Sequence, residues 1–366
     1  MTQARVRAVY MRGGTSRCLV FHERDLPPAG VDRDYILLAA LGSPDPYGRQ
    51  LDGLGGGISS LSKACIIGPP THPGADVDYT FAQVEVSAPH VDYTGNCGNC
   101  SSAVGPFAIE ERLVQPVDGE TLVRIHNTNT KKLIVARVSV VAGQPATHGD
   151  FELPGVAGSG ARIALDFLEP GGAGTGRLLP TGKPRDVIEG VEASLVDASI
   201  PMVFVRARDV DLSGTEMPQA VDGDKALCAR LERIRVAASH LMGIPGSAAT
   251  PKVAVVAAPA AFTALDGTRI GREQADVVAR AISMGNCHRA FPLTSSMCLA
   301  VAARIEGTVV HECSTAAPGA DVRLGHPSGV LPLDAQVGNP AGVHHAERVT
   351  VYRTARRLIE GWVRIP

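Results

Sequence analysis

The chain has 366 residues, of which 45% are apolar and only 4% aromatic, and its 35 basic and 37 acidic side chains leave a formal charge of −2. That length exceeds what one hydrophobic core usually organises, so two domains are expected, with cores of Ala, Val, Leu and Ile. The near-neutral balance gives no electrostatic footprint for nucleic acid or an anionic membrane, no apolar run approaches the ~20 residues of a membrane span, and Arg5, Arg7 and Arg12 interrupt any signal-like opening.

A soluble, cytoplasmic protein is the expectation. Its eight cysteines, Cys18, Cys65, Cys97, Cys100, Cys228, Cys287, Cys298 and Cys313, are dispersed, so reduced thiols are expected rather than a disulfide framework.

In chain order, Val6 to Tyr10 reads as a strand, Arg12-Gly13-Gly14-Thr15-Ser16 as a tight turn, and Cys18 to Phe21 as the returning strand. Val31 to Gly42 has helical spacing, and Gly53 to Gly57 is a glycine-rich loop. Val77 to Val86 and Leu122 to Val141 alternate as strands. Between them, Gly95-Asn96-Cys97-Gly98-Asn99-Cys100 runs into a helix through Leu113, with Ser101 or Ser102 as the expected cap. The Gly- and Pro-rich stretch from Gly149 to Asp186 suggests a domain junction. Beyond it the reading gives paired strands at Ala193 to Arg206 and a helix from Asp222 to Met242. A strand is read at Lys252 to Ala258, helices at Arg272 to Met284 and Ser295 to Glu306, and a strand at Gly307 to Cys313. Both halves share a plan: strands, a Gly/Asn turn, a helix of small residues, then strands. That mixture argues for α+β.

The strongest chemical feature is Gly95 to Cys100 ahead of a helix. A helix start offers unpaired N–H groups and a positive dipole end, which bind carboxylate and lower a thiol's pKa. The plain alternative is a C-x-x-C metal or redox pair, but zinc normally takes two more ligands and no second C-x-x-C is present. Asp52 to Lys63 superficially resembles a phosphate loop without its Gly-Lys-Ser/Thr ending. A lysine is usually a solvated surface charge, yet Lys63 is followed at once by Ala64, Cys65, Ile66 and Ile67. Burial there would lower its pKa and let it act as a base. Met284 to Ala290 (with Cys287 and His288), Leu293-Thr294-Ser295-Ser296 and Gly325-His326-Pro327-Ser328-Gly329 are further turns, each more often structural than functional when taken singly.

Taken together, these motifs resemble the PrpF family of 2-methylaconitate isomerases, which includes 4-oxalomesaconate tautomerases and methylitaconate isomerases. The resemblance rests on Met11-Arg12-Gly13-Gly14-Thr15-Ser16, Gly42-Ser43-Pro44-Asp45, Asp52-Gly53-Leu54-Gly55-Gly56, Ser62-Lys63, Gly95-Asn96-Cys97-Gly98-Asn99, His326-Pro327-Ser328-Gly329 and Arg353-Thr354-Ala355-Arg356-Arg357-Leu358. It implies the diaminopimelate epimerase-like fold: two similar α+β domains, each a curved, mostly antiparallel sheet around a central helix, with the site in the cleft between them. The expected domains are 1–187 with 345–366, and 188–344. The chain departs from the family's usual pattern at Arg17, Cys18 and Cys100.

The resemblance implies a catalytic pair of Lys63 and Cys97, with Cys100 as the alternative acid in the register of the distant epimerases. Substrate ligands are expected among Arg12, Ser16, Ser60, Ser62, Asn96, Gly98, Asn99, Ser101, Met284, His288, Thr294, His326 and Ser328. No metal or other cofactor is expected. The expected partners are a small di- or tricarboxylate and a second copy of the chain. The activity so implied is an allylic proton shift on an unsaturated polycarboxylate. Chain length favours 4-oxalomesaconate, with 2-methylaconitate or methylitaconate as alternatives and a C-x-x-C thiol oxidoreductase as the remote one.

Overall fold

The strand Lys132–Val141 buries Ile134, Ala136, Val138 and Val140 and turns the residues between them outward. That period of two is the signature of a sheet with one covered face. A computed structural model describes residues 3–245, 247, 250–283 and 285–366 of the chain. They fall into two units, Met1–Phe167 with Tyr352–Pro366, and Leu168–Val351.

In the first unit the sheet runs Ala355–Ile365, Ala4–Gly13, Ser16–His22, Lys63–Gly68, Val77–Val84, Gly119–Asn127, Lys132–Val141, Ile163–Leu168. Its neighbours pair in the order antiparallel, antiparallel, parallel, antiparallel, parallel, antiparallel, antiparallel. Helix α1 (Val31–Leu41) packs on Ala355–Ile365, Val77–Val84 and Val91–Asp92. Helix α2 (Gly98–Glu110) touches Ala4–Gly13, Ser16–His22, Val77–Val84, Gly119–Asn127, Lys132–Val141 and Ala355–Ile365, so the sheet curves around it. Every α2 residue from Cys100 to Ile109 is buried, the pattern of a central helix rather than an amphipathic one. Gly105 permits the close fit, since a Cβ there would lie 2.9 Å from Val138 Cγ2 and 3.0 Å from Ala136 Cβ.

The second unit repeats the plan. Asp186–Ile188, Val191–Asp197, Pro201–Arg206, Lys252–Ala257, Val277–Ser283, Val322–His326, Gly329–Gly338 and His345–Arg353 pair in the same order of senses. Helices α3 (Pro218–Gly223) and α4 (Lys225–Leu241) occupy the place of α1, and α5 (Leu293–Ala302) and α6 (Val309–Cys313) that of α2. The shared plan read from the sequence is thus a shared topology.

Several local expectations are corrected. Arg272 to Met284 is a short 3-10 turn, Arg272–Gln274, followed by a strand, Val277–Ser283. That strand is paired on both edges and its Val277 to Ile282 core is buried on both faces, which erases the period of two. Gly307 to Cys313 contains α6, capped by Thr308 Oγ1 accepting from His311 N–H at 3.0 Å. Asp222 to Met242 is split by Asp224, which caps α4 by accepting from Leu227 N–H at 2.9 Å. The boundary expected at 187 falls at Leu168. Asp197 fastens the Gly-rich stretch to the second unit, its carboxylate accepting Gly174 N–H at 2.8 Å and Thr175 N–H at 2.7 Å. No helix among the described residues is long and apolar enough to cross a membrane.

Phe107 is fully buried on α2, its ring centroid 5.0 Å from that of His22. Phe107→Ala should therefore cost about 3–5 kcal/mol of stability. Urea unfolding checks this, and a loss below about 1 kcal/mol would contradict the central place given to α2.

Candidate active site

Lys63 opens the strand Lys63–Gly68 and is only 8% exposed. It stands opposite Gln83 in the antiparallel pair with Val77–Val84, so both side chains share a face. Lys63 Nζ donates to Gln83 Oε1 and lies 5.1 Å from the Phe81 ring centroid. Gln83 is itself held, its Nε2 donating to Ser62 O at 2.9 Å and Ser59 O at 3.2 Å. The amine is thus fixed by a chain of short contacts on one strand pair.

Cys97, not Ser101 or Ser102, caps α2, and its sulfur accepts the Cys100 N–H at 3.5 Å. The serines lie inside the first turns, Ser101 Oγ donating to Cys97 O at 3.0 Å and Ser102 Oγ to Asn99 O at 2.7 Å. Cys97 is half-buried as a residue, but its sulfur is turned back onto the helix. The expected lowering of this thiol is reversed: it is pushed well above the usual cysteine range. The contact with the Cys100 thiol contributes most and burial next, with Lys63 opposing both. Lys63 is near enough to act electrostatically on the Cys97 thiol. Cys100, the alternative acid, is fully buried and faces Cys18 and Cys65.

Around Cys97 the Gly-Gly turn docks on the helix start. Asn99 Nδ2 donates to Thr15 Oγ1 at 3.0 Å, and Asn99 Oδ1 accepts from Arg353 Nε at 3.0 Å. Gly14 has φ +51°, and a Cβ there would lie 2.3 Å from Asn99 Oδ1, so no larger residue fits that turn. Arg12 Nη1 clamps it, donating to Gly14 O at 3.0 Å and Thr354 O at 2.9 Å. Ser16 is buried on the returning strand. Asn96 Oδ1 accepts from Ser101 Oγ at 3.3 Å and Asn127 Nδ2 at 3.4 Å, while Gly98 begins the helix.

Arg353 was not among the expected ligands, although its motif carries the resemblance. It is 5% exposed, and burial pulls its guanidinium down to about 10 against the opposing influence of the Cys97 sulfur. A buried arginine in an arginine-rich strand was the available signal, but only tertiary structure brings residue 353 to residue 99.

One expected ligand is otherwise engaged. Ser62 is fully buried, its hydroxyl donating to Val84 O at 2.8 Å and accepting from Gln50 Nε2 at 2.7 Å. Ser60 lies half-buried in the turn Ser59–Leu61. The glycine-rich loop cradles a helix end instead of a phosphate: Leu54 N–H donates to Ala40 O at 3.0 Å and Gly55 N–H to Leu41 O at 3.2 Å.

In the second unit, His288 Nδ1 accepts from Ala290 N–H at 3.1 Å, and His326 Nδ1 accepts from Ser328 N–H at 3.1 Å. Each ring therefore carries its proton on Nε2 when neutral. Burial lowers the His288 pKa, and Lys252 adds to that. Ser328 Oγ donates to Arg289 O at 2.6 Å, which ties these turns together. Thr294 is exposed in the first turn of α5, and Met284 lies outside the described residues. Lys252 opens its strand at the place Lys63 occupies in the first unit, and burial lowers its pKa.

The PrpF protein family model matches residues 3–366. The chain is 42% identical to the 3-methylitaconate isomerase of Eubacterium barkeri, covering 99% of this chain and 97% of that one. It is 38% identical to the 2-methyl-aconitate isomerase of Shewanella oneidensis (100% and 98% covered) and 38% identical to the 4-oxalomesaconate tautomerase of Pseudomonas putida (99% and 97% covered). The crystal structure of methylitaconate-delta-isomerase superimposes with a TM-score of 0.94 at 41% identity, covering 100% of this chain and 96% of that one. A hydroxyproline epimerase from Agrobacterium vitis shares the fold alone, with a TM-score of 0.50 at 14% identity over 99% of this chain and 93% of that one. The chain is a member of the PrpF family of isomerases, built on the diaminopimelate epimerase-like fold.

Proposed function

We propose that this isomerase shifts an allylic proton on a small unsaturated polycarboxylate, with Lys63 as base and Cys97 as acid. The observation that carries the reading is a buried lysine at a strand start, near enough to act electrostatically on the thiol that caps α2. A proton beside an unsaturated acid is weakly acidic. Removing it leaves an extended dienolate that takes the proton back at its far end, so the double bond moves. The step needs one base, one acid and donors for the developing enolate charge. The amine of Lys63 abstracts. The thiol of Cys97, raised above the usual range, is protonated at neutral pH and able to donate. The first-turn N–H groups of α2, Arg12 and Arg353 are the proposed carboxylate and enolate ligands. No metal or other cofactor is needed for this chemistry.

Methylitaconate becomes the first candidate substrate and 2-methylaconitate the second. Chain length had favoured 4-oxalomesaconate, but this chain covers 97% of the 3-methylitaconate isomerase and 97% of the 4-oxalomesaconate tautomerase, so length does not separate them. The higher identity to the former, 42% against 38%, supports putting methylitaconate first.

Steady-state turnover of methylitaconate should fall on the order of 10²–10⁴-fold in Lys63→Met and in Cys97→Ser. A Cys97→Ser enzyme at wild-type rate, with Cys100→Ser inactive, would move the acid to Cys100. Dialysis against chelator should leave turnover unchanged; a large loss restored by zinc would contradict a metal-free reaction. The raised thiol has a matching signature. Its thiolate appears only above the usual cysteine range, so alkylation of Cys97 by iodoacetamide, followed by mass spectrometry, should be slow at pH 7 and climb beyond pH 9. A rate already at its plateau at pH 7 would show a depressed thiol instead.

A further inference from the structure

Cys18, Cys65 and Cys100 lie far apart in the chain, yet their sulfur atoms are all within 4.8 Å of one another. Each is 0% exposed. They come from three elements, the strands Ser16–His22 and Lys63–Gly68, which pair in parallel, and the first turn of α2. The isomerisation proposed above uses none of the three. We propose that these sulfurs form a binding site for one copper(I) ion.

Geometry, coordination number and charge support that choice. Three sulfurs bound to one ion at about 2.3 Å sit about 4 Å apart, so the cluster has to contract by less than about 1 Å. The Oη of Tyr79 lies 4.0 Å from Cys65 Sγ. A phenol is a hard, ill-suited fourth donor. Among the described residues the grouping is three cysteines with no histidine or carboxylate. Zinc almost always completes a tetrahedron in a structural site, whereas soft copper(I) is selected by thiolates and is satisfied by three.

Binding costs the site two protons. Two thiols release theirs to solvent and bind as thiolates, and the third sulfur binds through a lone pair as a thiol. The complex then carries one negative charge, at the positive end of the α2 dipole. Cys97 stands beside the cluster, half-buried and with its thiol in contact with that of Cys100.

The test uses the full-length protein, reduced and anaerobic, titrated with copper(I) against bathocuproine disulfonate. One copper per chain should be retained. At a fixed chelator concentration, Cys18→Ala and Cys65→Ala should each lower retention at least about tenfold, while Cys228→Ala and Cys298→Ala should not. Copper-edge X-ray absorption of the wild-type protein should count three sulfur neighbours, and that result stands even where a core variant fails to fold. A two-sulfur spectrum, or retention unchanged in Cys18→Ala and Cys65→Ala, would put copper on the Cys97–Cys100 pair and overturn the proposal. So would preferential retention of zinc in a four-coordinate site.

Discussion

A helix buried on every side has only its ends available for chemistry, and α2 is such a helix from Cys100 to Ile109. The sheet of the first unit curves around it, and Gly105 sets how closely helix and sheet approach. Its first turn is therefore held in place by the core itself. Cys97, Gly98 and Asn99 inherit that rigidity, which a catalytic group on a free loop would lack. The Gly13-Gly14 turn, Asn99 and Arg353 then fix the surroundings of the thiol through named hydrogen bonds. The contact with Cys100, together with the burial that orders this site, also raises the Cys97 thiol.

The second unit reproduces the first strand for strand in the sense of its pairings. The helix starts correspond as well. Ser296 Oγ donates to Pro292 O at 3.1 Å, as Ser101 Oγ donates to Cys97 O at 3.0 Å. What differs is the chemistry mounted on the common plan. The first unit carries a thiol at the cap, and the second carries Pro292 there and a pair of imidazoles in nearby turns. A duplicated scaffold with different residues at equivalent positions suits a reaction that needs an acid and a base but not two interchangeable thiols.

Much of this was legible in the sequence, and the misses have physical causes. The alternation in Lys132–Val141 gave its strand directly, because one face is covered and the other is not, and the unbroken apolar run after Lys63 gave a strand that is buried along its length. Val277–Ser283 was misread as helix because both of its faces are buried, which leaves no period to detect. The cap of α2 was assigned to serine because cysteine is not among the usual capping residues. Arg353 and the Cys18–Cys65–Cys100 cluster escaped notice for another reason. Their meaning lies in contacts between residues far apart in the chain, which spacing does not encode.

Abstraction and reprotonation are proposed for different side chains, and hydrogen exchange separates them. In heavy water, with methylitaconate as substrate, Cys97→Ser should still wash hydrogen out of the substrate while forming little product, because the proposed base Lys63 is intact and the hydroxyl is a far weaker acid than the thiol. Lys63→Met should show neither washout nor product. Washout by Lys63→Met with none by Cys97→Ser would reverse the two roles and contradict the assignment.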